Sequence, residues 1–443
     1  MSSPERFDRR LITPLLLGST LNPINSSMLA VALVPIGTAF GVPPSQTAWL
    51  ITGLYLATAV GQPVLGWLVD IFGPRTLFLL GAALVGAAGL LAAFAPTLGV
   101  LVVARILLGI GTSAAYPAAM SVVRSEADRT GTETPAGVLS GLSLSRQVIA
   151  VIGPTLGGLL IGIGGWHLIF TINVPLALIC IVLGVLWLPR SSRTRGAGGL
   201  DYPGIALFTG TLVASMLFLM APQVSRWYLP VLAVLLGAAF VVVELRVLEP
   251  FIDLRILAGS RALIATYTRQ VLAFIGAYSF LYGFTQWLEE GRGLSASHAG
   301  LLLLPLSLAA VLVTLVTGRS ARIRGKLVAG SILLLVAAGA QLLVGRSTPI
   351  WMLAGLGVIA GLPQGLNGLA NQTALYQQAD PARIGASAGL LSTCVYVGAL
   401  ISAAAQARFF RHGATTAGLH QLAVFLLVVA GLHLVVTLWK LPR

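Results

Sequence analysis

The sequence predicts an all-α polytopic membrane protein of about fourteen transmembrane helices, and three observations carry that expectation. The first is composition: 57% of the 443 residues are hydrophobic and 9% charged, with a mean hydropathy of +0.93. A water-soluble chain with so few charges has too little polar surface to cover itself. The second is the recurrence of apolar runs close to the ~20 residues that cross a bilayer, separated by short knots of Arg, Pro, Gly and Asp. The third is the 51 glycines, small residues that let helices approach closely in lipid.

In chain order the runs fall at 11–38, 46–66, 77–95, 98–122, 138–162, 167–189, 202–221, 227–247, 262–288, 298–317, 327–345, 350–374, 385–407 and 418–439. The start, MSSPERFDRRLITPLL, places basic residues before an apolar stretch that continues to Pro35 without a small-residue cleavage site, so it reads as a first span. With the N-terminus in the cytoplasm, alternation puts Arg6, Arg9, Arg10, Arg75, Arg124, Arg129, Arg190, Arg193, Arg195, Arg246, Arg255, Arg261, Arg319, Arg322, Arg324, Lys326, Arg383, Lys440 and Arg443 inside. Arg226, Arg292, Arg346, Arg408 and Arg411 fall outside. Basic residues accumulate on the cytoplasmic side, so the asymmetry supports both parity and orientation: a multi-pass protein of the bacterial cytoplasmic (inner) membrane with both termini cytoplasmic.

Several function classes drop out on the same evidence. The net charge of +14 is spread over loops instead of forming one stripe, so no nucleic-acid partner is expected. Cys180 and Cys394 lie inside apolar runs, which predicts reduced thiols and no disulfide. His167, His298, His412, His420 and His433 are scattered, so no metal site, cofactor or hydrolytic constellation is expected. No Gly-x-x-x-x-Gly-Lys-Ser/Thr loop is present to drive an ATP pump. The chain is expected not to be an enzyme.

A weak internal repeat sets the domain plan. Gly66, Gly73 and Gly109 recur as Gly318, Gly325 and Gly361, each 252 residues later. That offset exceeds six helices, so the expected division is an N-terminal six-helix bundle at 1–189, a linker with two additional helices at 190–261, and a C-terminal six-helix bundle at 262–443. Duplicated halves with a site at their interface are a common transporter plan.

The segment GWLVDIFGPRT, from Gly66 through Asp70 and Gly73 to Arg75, resembles the loop between helices 2 and 3 of the major facilitator superfamily, although Pro74 intrudes before the Arg. ARILLGIG, with Arg105 and Gly109, is similar to that family's Arg-x-x-x-Gly-x-Gly helix. GPTLGG, with Gly153, Pro154, Gly157 and Gly158, resembles its antiporter motif, in which the proline bends the helix and the glycines permit close packing. GWHLIFTINVPLAL and DYPGIALF resemble segments of the fourteen-helix drug:proton antiporters. The resemblance implies the major facilitator fold, two six-helix bundles plus two helices, and transport by alternating access. It also gives the motif residues a gating role.

Polar residues inside the spans are the candidates for substrate contact. A charge at mid-membrane costs about 2.5–3.5 kcal/mol on insertion scales, so Arg105, Arg146 and Arg269 each need a partner or a wet cavity. Asn22, Asn25, Gln147, Tyr278, Tyr282, Gln286, Gln364, Asn367 and Asn371 are amides and aromatics on the same spans. Such groups suit a broad, partly apolar organic ligand, and they also hold helices together. Trp227, Tyr228 and Trp351 sit at span ends, where an interfacial belt accounts for them.

One departure from the drug-antiporter pattern bears on coupling. That pattern has an Asp before the Val-Ala-Leu step of the first helix; LNPINSSMLAVAL has Asn25 there and no acid. Asn does not titrate, so a proton carrier has to lie elsewhere, and Glu289 and Glu290 at the outer end of span 9 are the candidates, with a solvated pair near Arg292 as the alternative. The expected function is export of a small organic compound, with protons and the bilayer as further partners, by a chain working as a monomer. Uncoupled movement or uptake of an anionic metabolite is the second reading, and a non-transporting sensor or scaffold the third.

Overall fold

The computed structural model describes residues 8–130, 136–189, 201–248, 250–252, 254–255, 260–318, 323–379 and 384–439. Arg6, Arg190, Arg193, Arg195, Arg319, Arg322, Arg383, Lys440 and Arg443 lie outside them. Every regular element among the described residues is helical. Twelve helices are long and apolar enough to cross a membrane, and a bent pair makes a thirteenth. The remaining long helix, Ala136–Gly164, has 29 residues with its apolar part at Val148–Gly164.

In chain order these are α1 (Ile12–Val31 continued by Leu33–Phe40), α2 (Pro44–Phe72), α3 (Pro74–Ala93), α4 (Leu98–Ala127), α5 (Ala136–Gly164), α6 (Leu168–Trp187) and α7 (Tyr202–Met220). They continue as α8 (Val224–Arg246), α9 (Arg261–Gly291), α10 (Ala296–Gly318), α11 (Ile323–Gln341), α12 (Ile350–Gln378), α13 (Ile384–Phe409) and α14 (Thr416–Trp439). Thirteen of the fourteen apolar runs thus correspond to helices, one of them the bent pair, long and apolar enough to cross, and the run at 138–162 corresponds to α5 with its shorter apolar part.

Local chemistry sets the boundaries. Pro35 has no N–H to give Val31 and its ring crowds that carbonyl, and α1 bends there by 61°. Gly73, at φ 86°, ends α2, and Pro74 opens α3 at a position where its missing N–H costs nothing. The proline that departs from the family loop is thus the first residue of the next helix. Thr97, Asp201, Ser260 and Ser295 cap α4, α7, α9 and α10 by accepting from Val100, Gly204, Leu263 and His298 N–H groups.

Packing divides the helices into groups. Within α1–α6, α1 lies on α5, α2 on α4, and α3 on α4 and α6; within α9–α14, α9 lies on α12, α13 and α14, α10 on α12, and α11 on α12 and α14. The groups meet along two seams, α2 against α13 and α5 against α10. The α7–α8 pair packs on itself and, through α7, on α2 and α13. It is the most lipid-facing part of the chain, with 28% and 17% of the two apolar windows buried against 61% in α9.

The repeat read from glycines is present in three dimensions. A Cβ at Gly109 would meet the Leu54 carbonyl of α2 at 2.6 Å, and one at Gly361 would strike the Leu306 carbonyl of α10. Leu54 and Leu306 are also 252 residues apart, so α4 meets α2 as α12 meets α10, glycine against the same carbonyl. Trp227, Tyr228 and Trp351 are exposed at helix ends, as an interfacial belt requires.

Candidate functional site

The centre of the molecule is a belt of four tyrosines from three helices. Tyr55 on α2 meets Tyr278 edge to face at 5.0 Å and Tyr396 at 6.1 Å, while Tyr278 and Tyr282 on α9 stack at 5.9 Å. Aromatic pairs at these separations add to the stabilisation given by burial alone. The hydroxyls tie the two groups of helices: Tyr55 Oη lies 3.1 Å from Tyr282 Oη, Tyr282 donates to the Ser26 carbonyl at 2.9 Å, and Tyr396 donates to Gln62 Oε1 at 2.8 Å. Tyr278 and Tyr282 were legible as candidates; Tyr55, Gln62 and Tyr396 were not, because a single Tyr or Gln in an apolar run looks like packing until a partner helix is placed.

Arg105 sits beside this belt, 1% exposed. Its Nε donates to the Leu50 carbonyl of α2 and its Nη1 to the Asn25 carbonyl of α1, both at 3.1 Å, and Nη2 is buried without a hydrogen-bond partner. The side chain therefore cross-braces α1, α2 and α4 and holds one spare donor. Arg105→Ala removes both bonds that join α4 to α1 and α2, each a contact to a charged group worth about 1.5–3 kcal/mol; Arg105→Lys keeps a charge and a donor. The Ala variant is expected to lose far more flux than the Lys variant at matched expression, and equal mild losses would show a replaceable brace.

Asn25 is taken up in packing between helices. Its amide exchanges two hydrogen bonds with Asn173 of α6, Nδ2 to Oδ1 at 2.6 Å and the reverse at 2.9 Å, and it is 3% exposed. Where the resemblance to drug antiporters implies an acid, this chain has a closed amide pair with its donors and acceptors used. Asn22 donates to Thr112 Oγ1 at 3.0 Å and lies 3.4 Å from Thr58 Oγ1.

The GPTLGG segment is wedged between two helices. A Cβ on Gly153 would run into Ser27, and one on Gly157 would sit 2.9 Å from the Met28 carbonyl, so this face presses on α1 just before its bend. The other face meets α10. Thr155 donates to the Gly300 carbonyl at 2.9 Å, Ser297 donates to the Gly158 carbonyl at 2.7 Å, and a Cβ on Gly158 would lie 2.6 Å from the Ala296 carbonyl. Pro154 and Gly158 thus form part of the α5–α10 seam at the face of the protein opposite the start of α1, termed the distal face, while Gly157 packs on α1.

At the other face, Asp70 is exposed at the end of α2, and Arg124 of α4 is the opposite charge acting on it. Arg75 donates to the Val185 carbonyl at 2.8 Å, satisfying the last turn of α6. Gly66 faces Pro117, with room for a Cβ at 3.8 Å.

The remaining candidates separate into two places. Arg269 is fully buried between α9 and α12, donating from Nε to Asn371 Oδ1 at 3.3 Å and from Nη2 to Thr266 Oγ1 at 2.8 Å, so it does not snorkel to the headgroups. Asn371 donates to Gln270, Asn367 has neither amide atom paired, and Gln364 lines a small cavity among α9, α11, α12 and α14. Arg269, Asn367 and Asn371 are fully buried among the C-terminal helices. Arg146 and Gln147 lie on α5, with side chains outside the described ones.

The two glutamates part company. Glu289 is 7% exposed and its Oε1 has no hydrogen-bond partner; Glu290 is exposed. Arg292 turns away and donates to the Thr348 carbonyl at 3.1 Å. The backbone accounts for the split: Ser279–Phe284 and Trp287–Gly291 are π-helical, a local widening common at functional sites. It turns Trp287, Leu288 and Glu289 inward and leaves Glu290 on the rim.

Comparison with known proteins fits this arrangement. The chain is 33% identical over 437 residues to the MFS-type transporter YwoD of Bacillus subtilis (96% of this chain, 95% of the other). It is 34% identical over 310 residues to the lincomycin resistance protein of Streptomyces lincolnensis (68% and 63%). Its fold superposes on the crystal structure of a point mutant of the nucleoside transporter NupG, with a TM-score of 0.69 over 96% of this chain and 99% of that one, at 12% identity. Residues 15–403 match the Major Facilitator Superfamily, and with two helix groups that meet at a central belt the chain is a multi-pass transporter belonging to that family.

Proposed function

We propose that the chain exports a small organic compound across the bacterial cytoplasmic membrane in exchange for protons, with both termini in the cytoplasm. The observation that carries this reading is the pairing of an aromatic belt between the two helix groups with a buried, incompletely bonded carboxyl group, Glu289, on the helix that supplies half of the belt. Tyrosine faces and hydroxyls hold partly apolar organic molecules with low demands on shape. A buried carboxyl that changes its surroundings between two conformations is the chemistry that links proton movement to a cycle.

The cycle is a rocking of residues 1–189 against 262–443, with α7–α8 riding at the α2–α13 seam. Hydrogen bonds between the halves join Tyr55 and Ser26 to Tyr282, Gln62 to Tyr396, and α5 to α10 near the distal face. The resistance protein named for lincomycin supports a drug-like substrate for this chain. The closed Asn25–Asn173 pair favours a second reading, movement without protons, since the first helix carries no titratable group.

The experiment is flux of lincomycin in liposomes containing the purified protein, with and without an imposed pH difference. Export reading and coupling together require accumulation that follows the pH difference. Downhill flux that ignores pH establishes the uncoupled reading, and no flux of any tested organic compound would leave a sensor or scaffold.

A further inference from the structure

At the distal face the two helix groups enclose a vestibule of about 490 Å³ between the end of α1, the start of α2 and the distal end of α9 with the turn after α13. That volume is in the range of pockets that take a drug-sized molecule. Its floor holds Gln286, 1% exposed, whose Oε1 has no hydrogen-bond partner.

The identity of that free atom is fixed by a buried chain of bonds. Gln406 donates from Nε2 to the Ser402 carbonyl at 3.2 Å and lies 2.9 Å from Ser402 Oγ, which orients its amide and turns its Oε1 toward Gln286. Gln286 must then donate from Nε2, at 3.0 Å. Its Oε1 is left as an acceptor, in a place where a missing partner is costly.

A second acceptor stands one turn farther out on the same helix face. Glu290 lines the vestibule with its carboxylate against Gly413, a residue at φ 129° whose Cβ, were there one, would lie 2.6 Å from Glu290 Oε1. The facing wall is mixed, with Leu33, Val34 and Pro44 apolar and Thr38 and Thr47 among them, and Arg411 and His412 close the rim. Two acceptors, one charged, on a common face call for a cationic donor; a mixed wall and basic rim call for a body that carries acceptors.

We propose that this vestibule is a second binding station, separate from the tyrosine belt, for an amine-bearing organic molecule whose ammonium group donates to Gln286 Oε1 and the Glu290 carboxylate. It rests on the export reading above, and places an exported amine here after it has passed the belt.

The test is equilibrium binding of lincomycin, an amine, to the full-length protein in nanodiscs, with chloramphenicol as a comparison that has no amine. Lincomycin is expected to bind, and Glu290→Lys, a change at an exposed side chain, to weaken it at least about tenfold while leaving chloramphenicol unaffected. Gln286→Leu with Gln406→Leu, which leaves no unpaired amide behind, is expected to give a similar loss. No lincomycin binding, or binding that all these variants retain, overturns the proposal. Binding that depends on Glu290 in a protein without any flux would instead retain the station and remove the export reading.

Discussion

Replacing Glu289 with Gln is expected to abolish uphill transport and spare downhill exchange. One pH unit is worth about 1.4 kcal/mol per proton, so a carrier moving one proton per substrate sustains about tenfold accumulation across that difference. The Gln variant keeps the size of the side chain and removes its proton chemistry; its accumulation ratio is expected to fall to about one. Exchange of labelled for unlabelled substrate needs no net proton movement and should continue. Glu290→Gln, at the exposed rim carboxylate, is the comparison: it is expected to weaken substrate binding, while accumulation at saturating substrate still follows the pH difference. The measurement is uphill and exchange flux in the same liposomes. Persistent pH-driven accumulation in Glu289→Gln would remove this residue from the coupling mechanism.

Gly158→Val is expected to stop the cycle with the protein folded and inserted. The added Cβ would lie 2.6 Å from the Ala296 carbonyl and 3.0 Å from the Ser297 Cα, both backbone atoms of α10 that cannot swing aside. Over-packing of this kind costs about 1–3 kcal/mol, enough to shift a two-state equilibrium about five- to 150-fold away from the form in which α5 and α10 touch. Turnover should drop by a similar factor, and spin labels at Ile163 and Leu343, both highly exposed near the distal face, should move apart. Gly339→Val is the control, since nothing lies within 4 Å of a Cβ there. Equal activity of Gly158→Val and Gly339→Val would mean that the seam does not need to close.

The tyrosine belt and the Asn25 pair show where sequence reading stops. Tyr278 and Tyr282 are spaced four residues apart on one helix, so their common face follows from helical periodicity. Tyr55 and Tyr396 reach the same point from α2 and α13, and no local pattern announces that meeting. Asn25 stands where the resembled antiporter pattern has an acid, and its chemistry alone says that it does not titrate. That it is also closed off by Asn173 follows only from the contact between α1 and α6, 148 residues apart in sequence.

By itself the sequence determined the solvent, the helices and the plan of two related halves, because the cost of placing polar backbone in lipid leaves a long apolar run little choice but to form a helix. The 252-residue glycine offset belonged to the same level, since only a glycine admits a neighbouring carbonyl at Gly109 and Gly361. Tertiary structure alone decided which polar side chains meet. Arg269, Asn367 and Asn371 read as cavity residues and are spent inside the C-terminal helices, while Glu289 and Glu290, adjacent and chemically alike, are parted by a π-helical turn that buries one and exposes the other. A helix has every side to offer, and the face that matters is fixed by its neighbours.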